Sequence, residues 1–164
     1  MIYIKNKKGF SIIEVLAAVF IISLGLVSVL TLAEKNIQNQ YINRNNIIAS
    51  MLAQEGLELV RAKRDSNWLA GANWKSGISG IFRADYNDSS FSAVAAGDNS
   101  NTLLKINGNG YYDHGGVTAT DFYRWIEVTD STDDYIELSC TVRFKKNNIN
   151  YDYVASTVLY GWGY

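Results

Sequence analysis

The hydrophobic pattern divides the chain into an apolar segment, an amphipathic segment and a long remainder of short alternating runs. Residues 10–32 are almost entirely apolar, and Glu14 is their only charged side chain. As a helix, these 23 residues would be about 35 Å long, enough to cross a hydrocarbon core of about 30 Å. The first segment is therefore predicted to be a membrane-spanning helix.

Residues 33–64 contain no proline and one glycine, so the helix is predicted to continue to about Arg64. Their apolar side chains recur at intervals of three, four and seven, which predicts one amphipathic face packed on the rest of the protein. The predicted face consists of Ile37, Tyr41, Ile48, Met51, Leu52 and Leu59. We expect Asp65, Ser66 and Asn67 to end the helix and Trp68 to fold back as a packing anchor.

Residues 65–164 carry short apolar runs separated by Gly, Asn, Asp and Ser, which is typical of strands joined by turns. Three runs alternate cleanly and predict an antiparallel meander, at 122–129, 136–144 and 151–160. Residues 78–82 and 103–106 are predicted to add short strands, and 84–101 to form a loop. A helix followed by a sheet predicts an α+β fold.

Composition argues against an enzyme. The chain has 164 residues and a net charge of -1, with one cysteine, Cys140, and one histidine, His114, so neither an intrachain disulfide nor a histidine-rich metal site is possible. His114 lies in a glycine-rich turn, and Cys140 is expected to be a small core residue. Residues 65–164 hold 12 acidic and 7 basic side chains, so we expect no nucleic-acid binding.

Three lysines precede the apolar run, at Lys5, Lys7 and Lys8, and predict a cytoplasmic N-terminus with the body on the far side. A secretory signal peptide cut near Ala33 is one alternative, and a plain signal anchor is another. A signal peptide has an apolar core of only about 7–15 residues, whereas this run is longer and contains a carboxylate. An acidic residue in mid-membrane costs roughly 2.5–3.5 kcal/mol, which indicates a role for Glu14.

The stretch KKGFSIIEVLAAVFIISLGLVSVL resembles the class III leader and first helix of type IV pilins and of type II secretion pseudopilins. The resemblance implies that a prepilin peptidase cuts after Gly9 and methylates the new N-terminal residue, Phe10. It also implies that Glu14 is the family's acidic residue, which would pair with the Phe10 amine of a neighbouring subunit. Pairing would offset the cost of burying both charges.

The resemblance implies the type IV pilin fold, a long N-terminal helix whose second half packs on a small antiparallel β-sheet head. The expected divisions are a cleaved leader at 1–9, a membrane and assembly helix at 10–32, its amphipathic continuation at 33–64 and a head at 65–164. Pilins commonly carry a proline in the first half of this helix. The sequence has none, so Gly25 is the expected weak point.

The stretch LAQEGLELVRAKRDSNWLAG, residues 52–71, resembles a segment of minor pilins of the type IV modification kind. The implied function is a structural subunit of a pilus, or a component that primes its assembly. A type II secretion pseudopilin and a DNA-uptake or adhesin pilin are the alternatives. The implied partners are other pilin subunits, the prepilin peptidase and a membrane assembly platform. The implied location is a single-pass membrane protein, then a periplasmic or extracellular filament.

No cofactor is expected, although calcium remains an alternative because acidic side chains cluster in one predicted loop. The weak candidates are Asp85, Asp88 and Asp98, which supply the hard oxygen ligands that calcium prefers. The spacing of an EF-hand is missing, and ordinary turn chemistry explains the same residues. A second acidic loop at Asp130, Asp133 and Asp134 joins two predicted strands.

Overall fold

A computed structural model describes residues 9–88 and 90–161, which form one helix followed by a seven-stranded antiparallel sheet. Helix α1 spans Ile12–Leu69. The strands are β1 (Ile81–Arg83), β2 (Ser92–Ala93), β3 (Leu103–Ile106), β4 (Tyr112–Asp113), β5 (Thr118–Ser131), β6 (Tyr135–Lys146) and β7 (Ile149–Tyr160). This architecture confirms the predicted α+β, type IV pilin-like fold.

The chain separates into two compact units, with the boundary between Asn43 and Arg44 inside α1. The described part of the first unit is helical from Ile12 onward, and its residues from Gly9 to Tyr41 are all exposed. The second unit contains the rest of α1 and the whole sheet. We call this second unit the head.

The helix ends five residues beyond the predicted stop at Arg64. Gly71 has a φ of 66° and follows the last turn, where the Ala72 amide donates to the Asn67 carbonyl and the Gly71 amide donates to the Trp68 carbonyl. These are the two hydrogen bonds of a Schellman cap. The prediction that Asp65, Ser66 and Asn67 break the helix is wrong, because the left-handed glycine supplies the stop.

The face of α1 that the head buries differs from the predicted one. Ile37 and Met51 are 67% and 64% exposed, and Leu52 alone of the predicted face is buried. The buried face of the head's helix is rich in small residues and consists of Asn45, Ala49, Leu52, Ala53, Gly56, Leu57 and Val60. Small side chains let a helix backbone come close to a sheet, so packing distance, not hydrophobicity alone, selects this face.

Strand β5 is the centre of the sheet. One of its edges pairs with β6, and β6 pairs with β7, which confirms the predicted antiparallel meander. The other edge is shared by β3, paired near Thr118–Tyr123, and β1, paired at Ile126–Glu127. Strand β3 matches its predicted bounds, whereas the two-residue strands β2 and β4 were not predicted because such short pairings leave no periodic signal.

The inward face of β6 is buried as the alternation predicts, with Ile136, Leu138, Cys140, Val142 and Phe144 at most 1% exposed. The hairpin that joins β6 to β7 has a two-residue loop, Asn147 and Asn148, with φ values of 50° and 63°. Asparagine tolerates this left-handed conformation, which matches the twist of paired strands. This turn therefore fixes the register of β6 against β7.

Candidate functional site

The N-terminal part of α1 is apolar and has no packing partner within the described chain. By length and composition α1 is able to cross a membrane, with an apolar window of mean hydropathy 2.7 that is not buried at all. Phe10, just before the helix, is 82% exposed. Exposed apolar surface of this extent requires lipid or other protein around it.

Glu14 lies in the first turn of α1, where its amide donates to the Ser11 carbonyl at 3.0 Å. Its carboxylate has no hydrogen-bond or ion-pair partner in residues 9–88 and 90–161. A helix N-terminus favours a negative charge, but only by about 0.3–1 kcal/mol. The leader lysines Lys5, Lys7 and Lys8 lie outside the described residues.

Three hydroxyl side chains within the apolar part of α1 bond to their own helix. Ser23 donates to the Phe20 carbonyl at 2.8 Å, and Ser28 to the Leu24 carbonyl at 3.1 Å. Thr31 donates in the same way to the carbonyl four residues before it, at 3.0 Å. These hydroxyls are satisfied without water, so they suit a lipid environment. Glu14 differs from them in needing a partner from elsewhere.

The head contains a buried charged cluster that the sequence did not single out. Arg124 of β5 is 1% exposed, and its guanidinium donates to the Leu52 carbonyl of α1 at 3.1 Å and to the Ala84 carbonyl at 2.8 Å. Its Nη atoms also lie 3.5 Å from a Glu55 oxygen and 3.7 Å from an Asp85 oxygen. A buried guanidinium is tolerated because carbonyls and carboxylates surround it.

His114 closes this cluster next to Asp85. Its Nδ1 lies 2.6 Å from the Asp85 carboxylate, and its backbone amide donates to the same group at 3.1 Å. Burial alone would raise the pKa of Asp85, but the hydrogen bonds and charge of His114, with the charge of Arg124, hold this pKa below its usual range. The cluster joins α1, β5 and the segments after β1 and β4.

Glu55 and Gly56 give a structural meaning to the stretch that resembles minor pilins. Glu55 provides the carboxylate beside Arg124. A Cβ built on Gly56 would lie 2.7 Å from the Cys140 Sγ, so only glycine fits there without a shift. Burial raises the pKa of the Cys140 thiol to about 12, which agrees with the predicted core role.

In the same stretch, Asn67 performs the packing that the sequence assigned to Trp68. Asn67 is buried, and its side-chain amide donates to the Trp74 carbonyl at 3.2 Å and the Ser76 carbonyl at 2.7 Å. Trp68 is 47% exposed, so the expectation of a packing anchor there is wrong. Asn67 is buried in preference to Trp68 because its side-chain amide satisfies two carbonyls of the following loop.

Of the three calcium candidates, Asp85 and Asp88 are neighbours, whereas Asp98 lies apart from them. Asp85 belongs to the Arg124 cluster, and Asp88 is beside it in a turn, where its carboxylate accepts from the Asp85 amide at 3.0 Å. Asp98 forms ion pairs with Arg143 and Lys145, whose side chains belong to the opposite face of the sheet. Among the described residues, no group of three or more His, Cys, Asp or Glu side chains is arranged to hold a metal ion.

Arg124 could have been found from the sequence. It occupies the inward phase of the β5 alternation, between Phe122 and Ile126, where an apolar side chain is the norm. A cation in that phase requires buried acceptors, and Glu55 and Asp85 are the acidic residues that supply them. The strand pattern alone marks Arg124 as a buried cation, whereas the carboxylates beside it are distant in the sequence and only the structure identifies them.

Residues 4–30 match the family model described as the prokaryotic N-terminal methylation motif. The match includes Gly9, Phe10, Glu14 and most of the apolar segment, and it supports the type IV pilin and prepilin-like class. The match thus supports a type IV pilin-like or pseudopilin precursor, and the apolar helix is consistent with membrane anchoring. No match is found among curated proteins or among solved structures.

Proposed function

We propose that the chain is a minor type IV pilin, a non-enzymatic subunit that a prepilin peptidase cuts after Gly9 and methylates on Phe10. Residues 1–9 are the leader, 10–32 the membrane and assembly helix, 33–64 its continuation and 65–164 the head region. The observation that carries the proposal is the carboxylate of Glu14, which has no partner in the described chain and lies in an exposed apolar helix.

Assembly into a filament would give the apolar helix a packing surface and Glu14 a charge partner. Helices of neighbouring subunits would bury the apolar surface, and the Phe10 amine of one subunit would neutralise Glu14 of the next. An acidic group costs roughly 2.5–3.5 kcal/mol at the centre of a membrane helix and less near its end, where Glu14 lies. Pairing would remove this cost, so it favours the filament over the dispersed subunit and would set the register between subunits. The basic leader supports insertion with the N-terminus in the cytoplasm.

Glu14→Ala tests this mechanism. The variant should insert and be processed as the wild type is, but its amount in sheared filaments should fall at least tenfold, which corresponds to about 1.4 kcal/mol. Glu34→Ala is the matched control, because Glu34 is also an exposed carboxylate of α1 but follows the apolar segment. Wild-type incorporation of Glu14→Ala would contradict the proposal.

The minor-pilin assignment, as opposed to a secretion pseudopilin, rests on the resemblance of residues 52–71. Glu55 and Gly56 are accounted for by packing inside the head, so this segment supports a shared head structure more than a shared partner. Labelling of the head on intact cells decides between the two. Labelled filaments outside the cell would support the pilus. A head that is labelled only after the outer membrane is permeabilised would support the pseudopilus.

A further inference from the structure

A pocket lies at the end of the head where α1 stops. Its volume is about 480 Å³, and it is formed by the last turn of the helix, the loop after it, the turn between β5 and β6, and the residue after β7. The side chains that give it its chemistry are Trp68, Asn73, Trp74, Lys75, Asp133 and Asp134. We call it the tryptophan pocket.

The wall of this pocket is fixed in place. The Trp74 indole is packed so tightly on Gly161 that a Cβ there would lie 2.4 Å from the indole Nε1. Asn67 holds the Trp74 carbonyl, and the Gly161 amide donates to the Asp134 carbonyl at 2.9 Å. Lys75 Nζ donates to the Thr132 carbonyl at 2.7 Å. A pocket held by these bonds needs little ordering when a ligand enters.

The pocket combines an open aromatic surface with hydrogen-bonding groups. Trp68 leaves about half of its surface in solvent, at 47% exposure, although indole is among the most costly side chains to expose. Asp133 and Asp134 offer acceptors, and the Lys75 ammonium lies 3.5 Å from the Asp133 carboxylate. A flat apolar ring beside acceptors and a donor matches a pyranose, which has one face of C–H groups and a rim of hydroxyls.

Charge narrows the class of ligand. Two aspartates and one lysine line the pocket, and residues 65–164 have an excess of five acidic side chains over basic ones, 12 against 7. Such a field disfavours phosphates and nucleic acids. We infer that the tryptophan pocket binds a neutral saccharide, with Trp68 as the stacking surface and Asp133 and Asp134 as hydroxyl acceptors.

The test uses the full chain, solubilised in an amine-oxide detergent because sugar-based detergents would compete. Tryptophan fluorescence is titrated with lactose, cellobiose and N,N′-diacetylchitobiose, and with heparin as the anionic probe. At least one disaccharide should bind with a Kd of about 1 mM or tighter, which corresponds to about -4.1 kcal/mol. Absence of binding by all three disaccharides, or binding of heparin alone, would overturn the inference.

Two variants locate the site. Trp68→Ala and Asp133→Asn should each weaken binding of that disaccharide at least tenfold, and either suffices should the other fail to fold. Equilibrium dialysis measures binding by the variants, because Trp68→Ala removes a fluorescent reporter. Tyr111→Ala is the matched control, because Tyr111 is 60% exposed and contacts Tyr86, away from this pocket. Loss of binding in the Tyr111 variant but not in these two would refute the assignment. Incorporation of Trp68→Ala into filaments should be normal, so this test is independent of the proposed assembly function.

Discussion

Gly56 of α1 and Cys140 of β6 are in direct contact across the core of the head, with 2.7 Å between the thiol sulfur and the place where a Cβ would lie on Gly56. Ile126 and Arg124 surround the same point, with side-chain atoms 3.4 and 3.5 Å from it. At this point the helix contributes no side chain, and its backbone packs directly on side chains of the sheet. This contact sets the distance between the two layers of the head.

Gly56→Ala should destabilise the head, although alanine normally stabilises a helix by about 0.5–1 kcal/mol relative to glycine. The added methyl overpacks the core at a cost of about 2–3 kcal/mol, so the net loss of about 1–2 kcal/mol should lower the Tm by roughly 5–10 °C. The Tm of the full chain in detergent, followed by near-UV circular dichroism, measures this effect. An unchanged Tm would show that Cys140 moves aside without cost.

Two further variants isolate the contact. Gly25→Ala adds the same methyl to α1 where nothing lies within 4 Å, so the head should keep its Tm. Cys140→Ala removes the sulfur that the methyl would meet, so in this background Gly56→Ala should recover about 0.5–3 kcal/mol of its loss. Additive effects of the two changes would contradict the proposed contact.

Asp85→Asn should lower the free energy of unfolding of the head and should also make it less dependent on pH in the acid range. The pKa of Asp85 is held below its ordinary value of 3.8, so the ionised carboxylate stabilises the folded head. This contribution is complete above pH 3.8 and is lost as the pH falls below it through the folded pKa. The variant leaves Arg124 with one carboxylate fewer, so we expect a loss of about 3 kcal/mol at neutral pH.

Urea unfolding between pH 3 and pH 7 measures this difference, which should be largest at neutral pH and should shrink below about pH 4. Asp88→Asn is the control, because the asparagine oxygen still accepts from the Asp85 amide and Asp88 is exposed. A pH-independent difference between wild type and Asp85→Asn would show that the carboxylate charge does not matter.

Cys140 should be inert to alkylation in the folded head. Burial raises its pKa to about 12, so at pH 8 roughly one thiol in ten thousand is ionised, and reagent cannot reach it. Labelling with N-ethylmaleimide, followed by mass spectrometry, should be at least about a hundredfold slower in the native chain than in urea. Equal rates would place the thiol at the surface.

Gly9→Val should block removal of the leader. In cells that contain a prepilin peptidase, the wild-type chain should lose nine residues and gain one methyl group on Phe10, as intact-mass measurement will show. Gly25→Ala is the control and should be processed normally. Continued loss of the leader in Gly9→Val would refute the assignment of the cleavage site.

The sequence was most informative where one physical requirement dominates. The sequence of residues 10–32 predicts a membrane helix because the interior of a bilayer strongly favours apolar side chains. The sequence of β6 predicts which side chains are buried because side chains of a strand alternate strictly between its two faces. The roles of Gly9, Phe10 and Glu14 remain predictions based on the motif.

The sequence was least informative where the partner is distant. The buried face of α1 was misjudged because Ala49, Ala53 and Gly56 are chosen for close approach, which a hydrophobic pattern does not weigh. The end of α1 before Gly71 was missed because Asp65, Ser66 and Asn67 gave an earlier signal for a helix end. Asn67 instead remains helical, and its side chain bonds to the loop that follows the helix. The Arg124 cluster joins residues up to 72 positions apart, which no window along the chain detects.

The bond from Arg124 to the Leu52 carbonyl also determines where the head can be cut for expression. A fragment that begins at Arg44 keeps this acceptor and Glu55. A fragment that begins after Leu69 loses both and retains an arginine whose remaining acceptors are Ala84 and Asp85. The compact unit that contains the sheet therefore begins within the helix, upstream of its contact with the sheet, and not at the junction of helix and sheet in the sequence.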